Sequence, residues 1–455
     1  MSVSVPTERS IERPTRSSRS RRWRVKAVLL TVALTSAAAV GVVANPLGAS
    51  ASSGSFYTYS GSTPLSSIAP GTVLKTRTLT YHVVGIPIPL GATQLLYRST
   101  GSLGQPTTNV TTVIQPPFRF GAPKIVSYQS FYDSLNPADE PSVAIAGNVS
   151  LGGIIPNIET LLIAPVLLSG YSVEIPDTEG QPADFAAGPE YGMNTLDGLR
   201  AAFASPSLGF RPDTKVGMIG YSGGAIATEW ASELAPKYAP DVNRHLVGAA
   251  MGGVLVDPAH NLHYIDGSSI WAGVMPMAII GVSRSFNVDL TPYLSDYGVQ
   301  VYKKLLNASI INALGQYSGL TWTQLAKPQY PTPESVPVYV HLVNQLIMGT
   351  GGTPTTPLFI GQGANGTLEG TPVSPTFGPG DGVMVTGDVR ALANQYCARG
   401  VRVQYDQYDS TSHVTSVPTW LPAALGWLKD RFGTTQAPTN CGQYAAGNSL
   451  APIPE

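Results

Sequence analysis

The pentapeptide Gly-Tyr-Ser-Gly-Gly at residues 220–224 carries the clearest chemical signature in the chain. A serine hydroxyl is a good nucleophile only when a neighbouring base accepts its proton. In a G-x-S-x-G turn, the flanking glycines let two backbones pass closely, and the sharp bend exposes the hydroxyl. Residues 216–220 are typical of a buried strand and residues 225–234 of a helix. This context predicts a nucleophile elbow centred on Ser222, built with Gly220, Tyr221 and Gly224.

A histidine that follows both the serine and the acid along the chain is the base that such an elbow requires. Of the six histidines, His413 lies in the loop after the last predicted strand, which is the expected position. We therefore predict that His413 accepts the serine proton. The other five are interpreted as structural residues: His82, His245, His260, His263 and His341.

An acid must orient the histidine and stabilise its cation. It should follow the predicted strand at residues 357–360, and Glu369 and Asp381 are the next acids. Asp381 ranks first because it lies in a turn that leads into a predicted helix, and Glu369 ranks second. Asp406 and Asp409 are too near the histidine in sequence and are expected to face solvent.

An oxyanion hole requires two backbone N–H groups. The residue after the nucleophile, Gly223, supplies the first, and the loop after an early strand supplies the second. That loop spans residues 129–134, and its residue types alone do not identify the donor.

Alternating strand and helix patterns surround these motifs and predict an α/β fold with a mostly parallel sheet. Residues 74–114 predict antiparallel strands. Further strands are predicted at 125–128, 171–175, 216–220, 246–251, 357–360 and 401–408, and helices at 193–203, 225–234, 388–399 and 418–432. Residues 257–335, including a helical pattern at 301–314, contain no clear strand. We therefore predict an α/β-hydrolase fold with an inserted helical cap at the edge of the sheet that binds ligands.

The first 51 residues combine a basic segment, an apolar run and small residues, the order of an export signal. A permanent membrane anchor is the alternative, because the apolar run is about long enough to span a bilayer. The complete division is an export signal at 1–51, a mobile leader at 52–66, core at 67–256, a cap or lid at 257–335, and core with a C-terminal tail at 336–455.

Composition limits the partners of this chain. Its net charge is -1 and only 12% of its residues are charged, so nothing indicates nucleic-acid binding. Cys397 and Cys441 form an even pair, which suggests one disulfide in an exported protein. His260 and His263 lack a clear third ligand, and no glycine-rich stretch has the setting of a nucleotide site. We expect neither a metal nor a cofactor.

From about residue 97 to residue 427 the chain resembles the secretory lipase (LIP) family. The resemblance rests on residues 97–99, 127–129 with Asp133, Gly170 with 175–177, 196–201 and 220–225, and on Asp381, Cys397 and His413. It implies a triad of Ser222, Asp381 and His413, an oxyanion hole from Asp133 and Gly223, a lid over an acyl tunnel, and a Cys397–Cys441 disulfide. Residues 362–380 depart from the family, which usually has a short turn before its acid.

The triad and the resemblance together imply an exported serine hydrolase that cleaves carboxylic esters of lipids through an acyl-enzyme on Ser222. A triacylglycerol lipase or a related esterase fits, with transient contact to a lipid interface. An acyltransferase with the same triad and a non-catalytic exported lipid-binding protein are the alternatives. Ligand sites are mostly apolar, and nine cap residues are predicted to line the tunnel: Trp271, Met275, Met277, Ile279, Ile280, Leu305, Ile310, Ile311 and Leu314.

Overall fold

A nine-stranded sheet forms the centre of the molecule, seen in a computed structural model that describes Met1 and residues 56–455. The predicted export signal and the start of the predicted leader lie outside the described residues. The strands are β1 (Val73–Val83), β2 (Ile86–Thr100), β3 (Pro106–Ile114), β4 (Lys124–Gln129), β5 (Ser172–Pro176), β6 (Lys215–Tyr221), β7 (Leu246–Gly252), β8 (Leu358–Gly363) and β9 (Val403–Tyr408).

The strand order is β1-β2-β3-β5-β4-β6-β7-β8-β9. The first three strands pair antiparallel, and β3 also pairs antiparallel with β5. From β5 to β9 every pairing is parallel. The carboxyl ends of β4, β6, β7 and β8 therefore meet at one edge of the sheet, where open α/β sheets bind their ligands.

Helices cover both faces of the sheet, because neighbouring strand residues point to opposite sides. In β6, Met218 packs in one core cluster and Ile219 in the other. The helices are α1 (Pro141–Ile145), α2 (Ile154–Leu168), α3 (Gly188–Ala204), α4 (Gly223–Tyr238), α5 (Pro240–Asn243), α6 (Pro258–Ile265), α7 (Val274–Ser285), α8 (Asp296–Leu305), α9 (Trp322–Leu325), α10 (Pro337–Asn344), α11 (Thr386–Ala398) and α12 (His413–Arg431). Among residues 56–455, none is long and apolar enough to cross a membrane.

The mostly parallel sheet with flanking helices confirms the predicted α/β fold class. Helices α6 to α9 lie between β7 and β8 and form a separate apolar cluster. The same cluster includes Val336, Tyr339 and Leu346, which follow residue 335. Near the start of the described residues, the Arg77 guanidinium lies over the ring of Tyr57, with its Cζ atom 5.1 Å from the ring centroid. The described part of the segment 52–66 therefore contacts β1.

Several predicted element boundaries differ from the structure; helix α3, for example, begins at Gly188 and not at residue 193. The helix predicted at 301–314 ends at Leu305 and is followed by a 3-10 turn at Ile310–Asn312. Beyond the helix, Ile310 N donates to the carbonyl oxygen of Asp133 (2.8 Å), which attaches this segment to the loop at residues 129–134. The closing helix α12 begins at His413 and not at residue 418, because Ser412 caps it by accepting from Thr415 N.

The predicted disulfide between Cys397 and Cys441 is confirmed. It closes a loop of 44 residues and joins the end of α11 to the segment after α12. Beyond it, the C-terminal tail crosses α11, where Asn448 donates to Asp388 Oδ1 (2.7 Å). The tail then reaches α10, where Asn344 and the backbone of Ile453 exchange two hydrogen bonds of 2.9 Å.

Candidate active site

Ser222 lies in the turn between β6, which ends at Tyr221, and α4, which begins at Gly223. Its backbone has φ +53° and ψ −120°, a conformation that L-residues rarely adopt. Strain of this kind is often found at functional sites. The flanking glycines are required by close packing: a Cβ at Gly220 would overlap the carbonyl oxygen of Gly224, and one at Gly224 would overlap that of Gln129.

An unbroken chain of hydrogen bonds connects Ser222, His413 and Asp381. The Nε2 atom of His413 lies 2.8 Å from Ser222 Oγ. Its Nδ1 atom lies 2.8 Å from Asp381 Oδ2. The structure thus brings together the three residues to which the sequence assigned nucleophile, base and acid.

Asp381 is held in a single orientation by several donors. Its Oδ1 accepts from the backbone N–H groups of Val383 (3.1 Å) and Met384 (2.7 Å). Its Oδ2 accepts from Gln362 Nε2 (2.9 Å) as well as from His413. The sequence did not predict a role for Gln362, although it lies near the end of β8 at the ligand-binding edge of the sheet. These donors hold the carboxyl group in place, which in turn fixes the imidazole ring.

The charges around His413 favour its protonated form. Burial alone lowers the pKa of His413, but the Asp381 carboxylate, with its hydrogen bond, and the charges of Glu369 and Asp133 outweigh that effect. The pKa of His413 is therefore raised above its ordinary value of 6.5. A raised pKa makes the imidazole a stronger proton acceptor during attack by the serine.

Glu369, the second candidate acid, does not bind the imidazole. Its Oε1 accepts from Val414 N (2.8 Å), and its Oε2 accepts from Trp271 Nε1 (2.8 Å). Trp271 in turn presents its ring edge-on to His413, with centroids 5.2 Å apart and planes at 82°. Of the two alternatives, only Asp381 is hydrogen-bonded to the histidine.

Gly223 and Asp133 face each other beside Ser222. Gly223 is the first residue of α4, so its N–H has no partner within the helix. A Cβ at Gly223 would overlap Asp133 Oδ1, which explains the glycine. Asp133 has φ +38° and is buried, and burial raises its pKa to about 7. Both residues line the pocket at Ser222, where an oxyanion would form.

Two buried carboxyl groups hold the loop that carries Asp133. Glu159, on α2, accepts from Tyr128 Oη (2.7 Å), Phe131 N (3.1 Å) and Ser130 Oγ. Glu179 accepts from Ser134 N (3.2 Å). The sequence did not predict either glutamate, because their roles depend on contacts with the distant loop at residues 129–134.

An apolar pocket of about 920 Å³, including its opening, leads away from Ser222 between the sheet edge and the cap. Four of the nine residues predicted for the tunnel line it, namely Trp271, Met275, Ile279 and Ile310. The other five do not: Met277, Ile280 and Leu305 are buried in the cap cluster, and Ile311 and Leu314 pack against it. The rest of the wall includes Ile226 on α4, Leu262 on α6, Leu342 and Val343 on α10, and Leu346 just after α10.

The other histidines form separate contacts. His260 lies 3.1 Å from Asp388, and His263 lies 2.5 Å from Glu334. His82, His245 and His341 contact the Ile145 carbonyl, the Thr214 carbonyl and Glu455. Within residues 56–455, no group of three or more His, Cys, Asp or Glu side chains is arranged to hold a metal ion.

The profile of the secretory lipase family matches residues 147–440, which include Ser222, Asp381 and His413. The chain belongs to the secretory lipase family. Lipase A of Arthroderma benhamiae is 32% identical over 398 residues, covering 82% of this chain and 78% of the relative. A Mycobacterium tuberculosis protein described as a probable inactive lipase is 32% identical over 371 residues, covering 80% and 78%.

Solved structures give the same assignment. Candida antarctica lipase A in its closed state superposes with a TM-score of 0.75 at 25% identity, covering 88% of this chain and 90% of that one. This match supports the α/β-hydrolase fold. The secretory lipase family and its structural neighbours together support a hydrolase of the lipase type.

Proposed function

We propose that this secretory lipase family member hydrolyses carboxylic esters of lipids through an acyl-enzyme on Ser222. The observation that carries the proposal is the continuous chain from Asp381 through His413 to Ser222 Oγ, with both hydrogen bonds at 2.8 Å. Ser222 also opens onto an apolar pocket, as a lipid substrate requires.

In the first half of the reaction, His413 Nε2 takes the proton of Ser222 Oγ as the oxygen attacks the ester carbonyl carbon. The backbone N–H groups of Gly223 and Asp133 stabilise the oxyanion that forms. When the tetrahedral intermediate collapses, the C–O bond to the alcohol breaks and His413 returns the proton to the leaving alcohol. The acyl group remains bonded to Ser222.

In the second half, His413 removes a proton from water, whose oxygen attacks the acyl carbon. The bond to Ser222 Oγ breaks, the serine regains its proton, and the carboxylic acid leaves. Asp381 remains ionised throughout and stabilises the imidazolium in both halves. Its full burial makes this electrostatic support stronger than it would be in water.

The pocket supports an acyl chain as the group bound beside Ser222. Its wall is formed by aliphatic and aromatic residues of the core and the cap, with few polar atoms. Each methylene buried there contributes about 0.8 kcal/mol. We propose long-chain esters, triacylglycerols among them, as substrates, and transient contact with the lipid interface that holds them.

A non-catalytic lipid-binding protein is the second candidate, because one relative at 32% identity is described as a probable inactive lipase. A binding protein needs an apolar pocket but does not need a nucleophile, a base and an acid in hydrogen-bonded sequence. The intact chain at Ser222 therefore favours the enzyme. An acyltransferase would use the same three residues with an alcohol in place of water.

The decisive experiment compares wild type with Ser222→Ala on p-nitrophenyl esters from acetate to palmitate, together with labelling by a lipid-like phosphonate. We expect turnover and covalent labelling of Ser222 in the wild type. The variant should lose on the order of 10⁶-fold in kcat while its circular dichroism stays unchanged. An unlabelled wild type without turnover would support the binding protein instead.

We further propose that the protein is exported and that residues 1–51 act as its signal. The order of basic, apolar and small residues in that segment supports this, as does membership of a family described as secretory. Expression in a bacterial host with an export pathway tests it by N-terminal sequencing of the mature chain. An intact N-terminus in the membrane fraction would indicate an anchor.

A further inference from the structure

Glu369 occupies a position between the cap, the acid turn and the helix that begins at His413. It ends the 3-10 turn Gly366–Glu369, in the stretch between β8 and Asp381. That stretch folds back on the acid turn, since Gly366 N donates to the carbonyl oxygen of Gly380 (2.8 Å) and Thr371 Oγ1 to that of Gly382 (2.6 Å). This fold places the Glu369 carboxyl group beside the site.

Both oxygens of Glu369 are engaged, each on a different part of the site. One accepts from Val414 N, the residue directly after the catalytic histidine (2.8 Å). The other accepts from the indole N–H of Trp271, which lines the pocket (2.8 Å). Gly382 leaves room for this contact, because a Cβ there would lie 2.9 Å from Glu369 Oε2 and 3.0 Å from Trp271 Nε1.

We propose that Glu369 is a positioning residue, fixing Trp271 as the pocket wall beside His413 and supporting the imidazolium through its charge. This inference rests on the proposed function and adds a second acid with a role different from that of Asp381. Glu369 touches neither the imidazole nor the substrate pocket. It therefore acts through its hydrogen bonds to Val414 and Trp271 and through the electrostatic effect of its charge on His413.

The charge of Glu369 has a predictable effect on the pH profile. The groups that face His413 are the carboxyl groups of Asp381, Glu369 and Asp133 and the phenol of Tyr221. The negative charge of Glu369 raises the pKa of His413. Since the base must be neutral to accept a proton, activity is lost as pH falls through this pKa. Removing the charge should lower the pKa and move the acidic limb to lower pH.

The test uses Glu369→Gln, Glu369→Asp and the matched control Glu190→Gln. Glu190 is also a buried carboxyl group that accepts from a backbone N–H (Ser102) and from a cap side chain (Ser285), but it does not act on His413. Glu369→Gln should reduce kcat on the order of 10- to 100-fold and move the acidic limb down by a few tenths of a pH unit or more. Glu369→Asp should keep the limb near its wild-type position, and Glu190→Gln should not move it.

A second measurement separates this inference from the proposed function. The imidazole of His413 is titrated by NMR in the Ser222→Ala background, with and without Glu369→Gln, so no turnover is needed. A lower titration midpoint in the double variant supports the inference even if the wild type proves inactive. Unchanged midpoints and an unchanged limb in folded Glu369→Gln would overturn it, while phosphonate labelling of Ser222 would leave the proposed function standing.

Discussion

The hydroxyl of Tyr221 donates to the carbonyl oxygen of His413 across a distance of 2.6 Å. Tyr221 is the last residue of β6 and directly precedes Ser222. Its ring also packs against the imidazole, with centroids 5.2 Å apart. The residue before the candidate nucleophile thus fixes the backbone of the candidate base. One side chain therefore fixes the position of His413 relative to Ser222.

Tyr221→Phe should remove the hydrogen bond to the His413 carbonyl oxygen while keeping the contact between the two rings. We expect a loss of about 1 kcal/mol in the free energy of unfolding, the usual contribution of one buried hydrogen bond. We also expect kcat to fall roughly tenfold through displacement of the base. Tyr405→Phe is the control, because it removes a buried hydroxyl that donates to Gln407 away from the site. Equal kcat losses in both variants would refute the specific role of Tyr221.

Asp381→Asn should abolish most of the activity. An asparagine cannot stabilise the imidazolium and favours the wrong tautomer, so kcat should fall roughly 10⁴-fold. The control is Asp388→Asn, which alters another buried aspartate that contacts a histidine, His260, at 3.1 Å. Steady-state kinetics on one soluble ester suffices. If Asp388→Asn were as damaging as Asp381→Asn, the assignment of the acid would be wrong.

Stability should decrease as pH rises from about 4 to about 8, because many buried carboxyl groups are more easily protonated when folded. Burial raises the pKa of Asp177 to about 6, that of Glu159 and Glu174 to about 7, and that of Asp184 to about 8. Below the unfolded pKa near 4 these groups are neutral in both states. As pH rises towards the folded pKa, the unfolded chain ionises first, which lowers its free energy relative to the folded state.

Thermal unfolding at about pH 5 and about pH 8 checks this expectation. The raised pKa of His413 acts in the same direction, since the folded state again binds the proton more tightly. Glu174→Gln should make the dependence of Tm on pH less steep. Glu174 accepts hydrogen bonds from Ser127 and Thr111, and a glutamine in its place would not ionise. A higher Tm at pH 8 than at pH 5 would contradict the prediction.

Ala278→Phe should shorten the accepted acyl chain. Ala278 lies on α7 and lines the pocket, so the added ring occupies space that distal methylenes would fill. Excluding four methylenes, at about 0.8 kcal/mol each, corresponds to roughly two orders of magnitude in kcat/KM. Activity on p-nitrophenyl acetate should change little. Gln300→Phe, an exposed cap position on α8, is the control, and an unchanged chain-length profile in Ala278→Phe would count against the acyl pocket.

The parts of the site that follow from chain order were predictable from the sequence. The positions of Ser222, Asp381 and His413 relative to strands and helices follow from the connectivity of the fold, and the disulfide follows from an even cysteine count. Gln362, Glu159 and Glu179 were not predictable, because their roles depend on which loops meet in space. The tunnel prediction was wrong for five residues because apolar character does not distinguish a wall residue from one packed inside the cap.

The segment after the disulfide gives helix α10 an accessible reporter. Ile453 is bound to Asn344 on α10, and Glu455 lies 3.2 Å from His341 on the same helix. The end of the chain is thus attached to a helix whose other residues line the pocket. A fluorophore attached at residue 455 would sense movement of α10, whereas a bulky affinity tag attached there would sit against that helix. Purification handles for this protein therefore belong elsewhere in the chain.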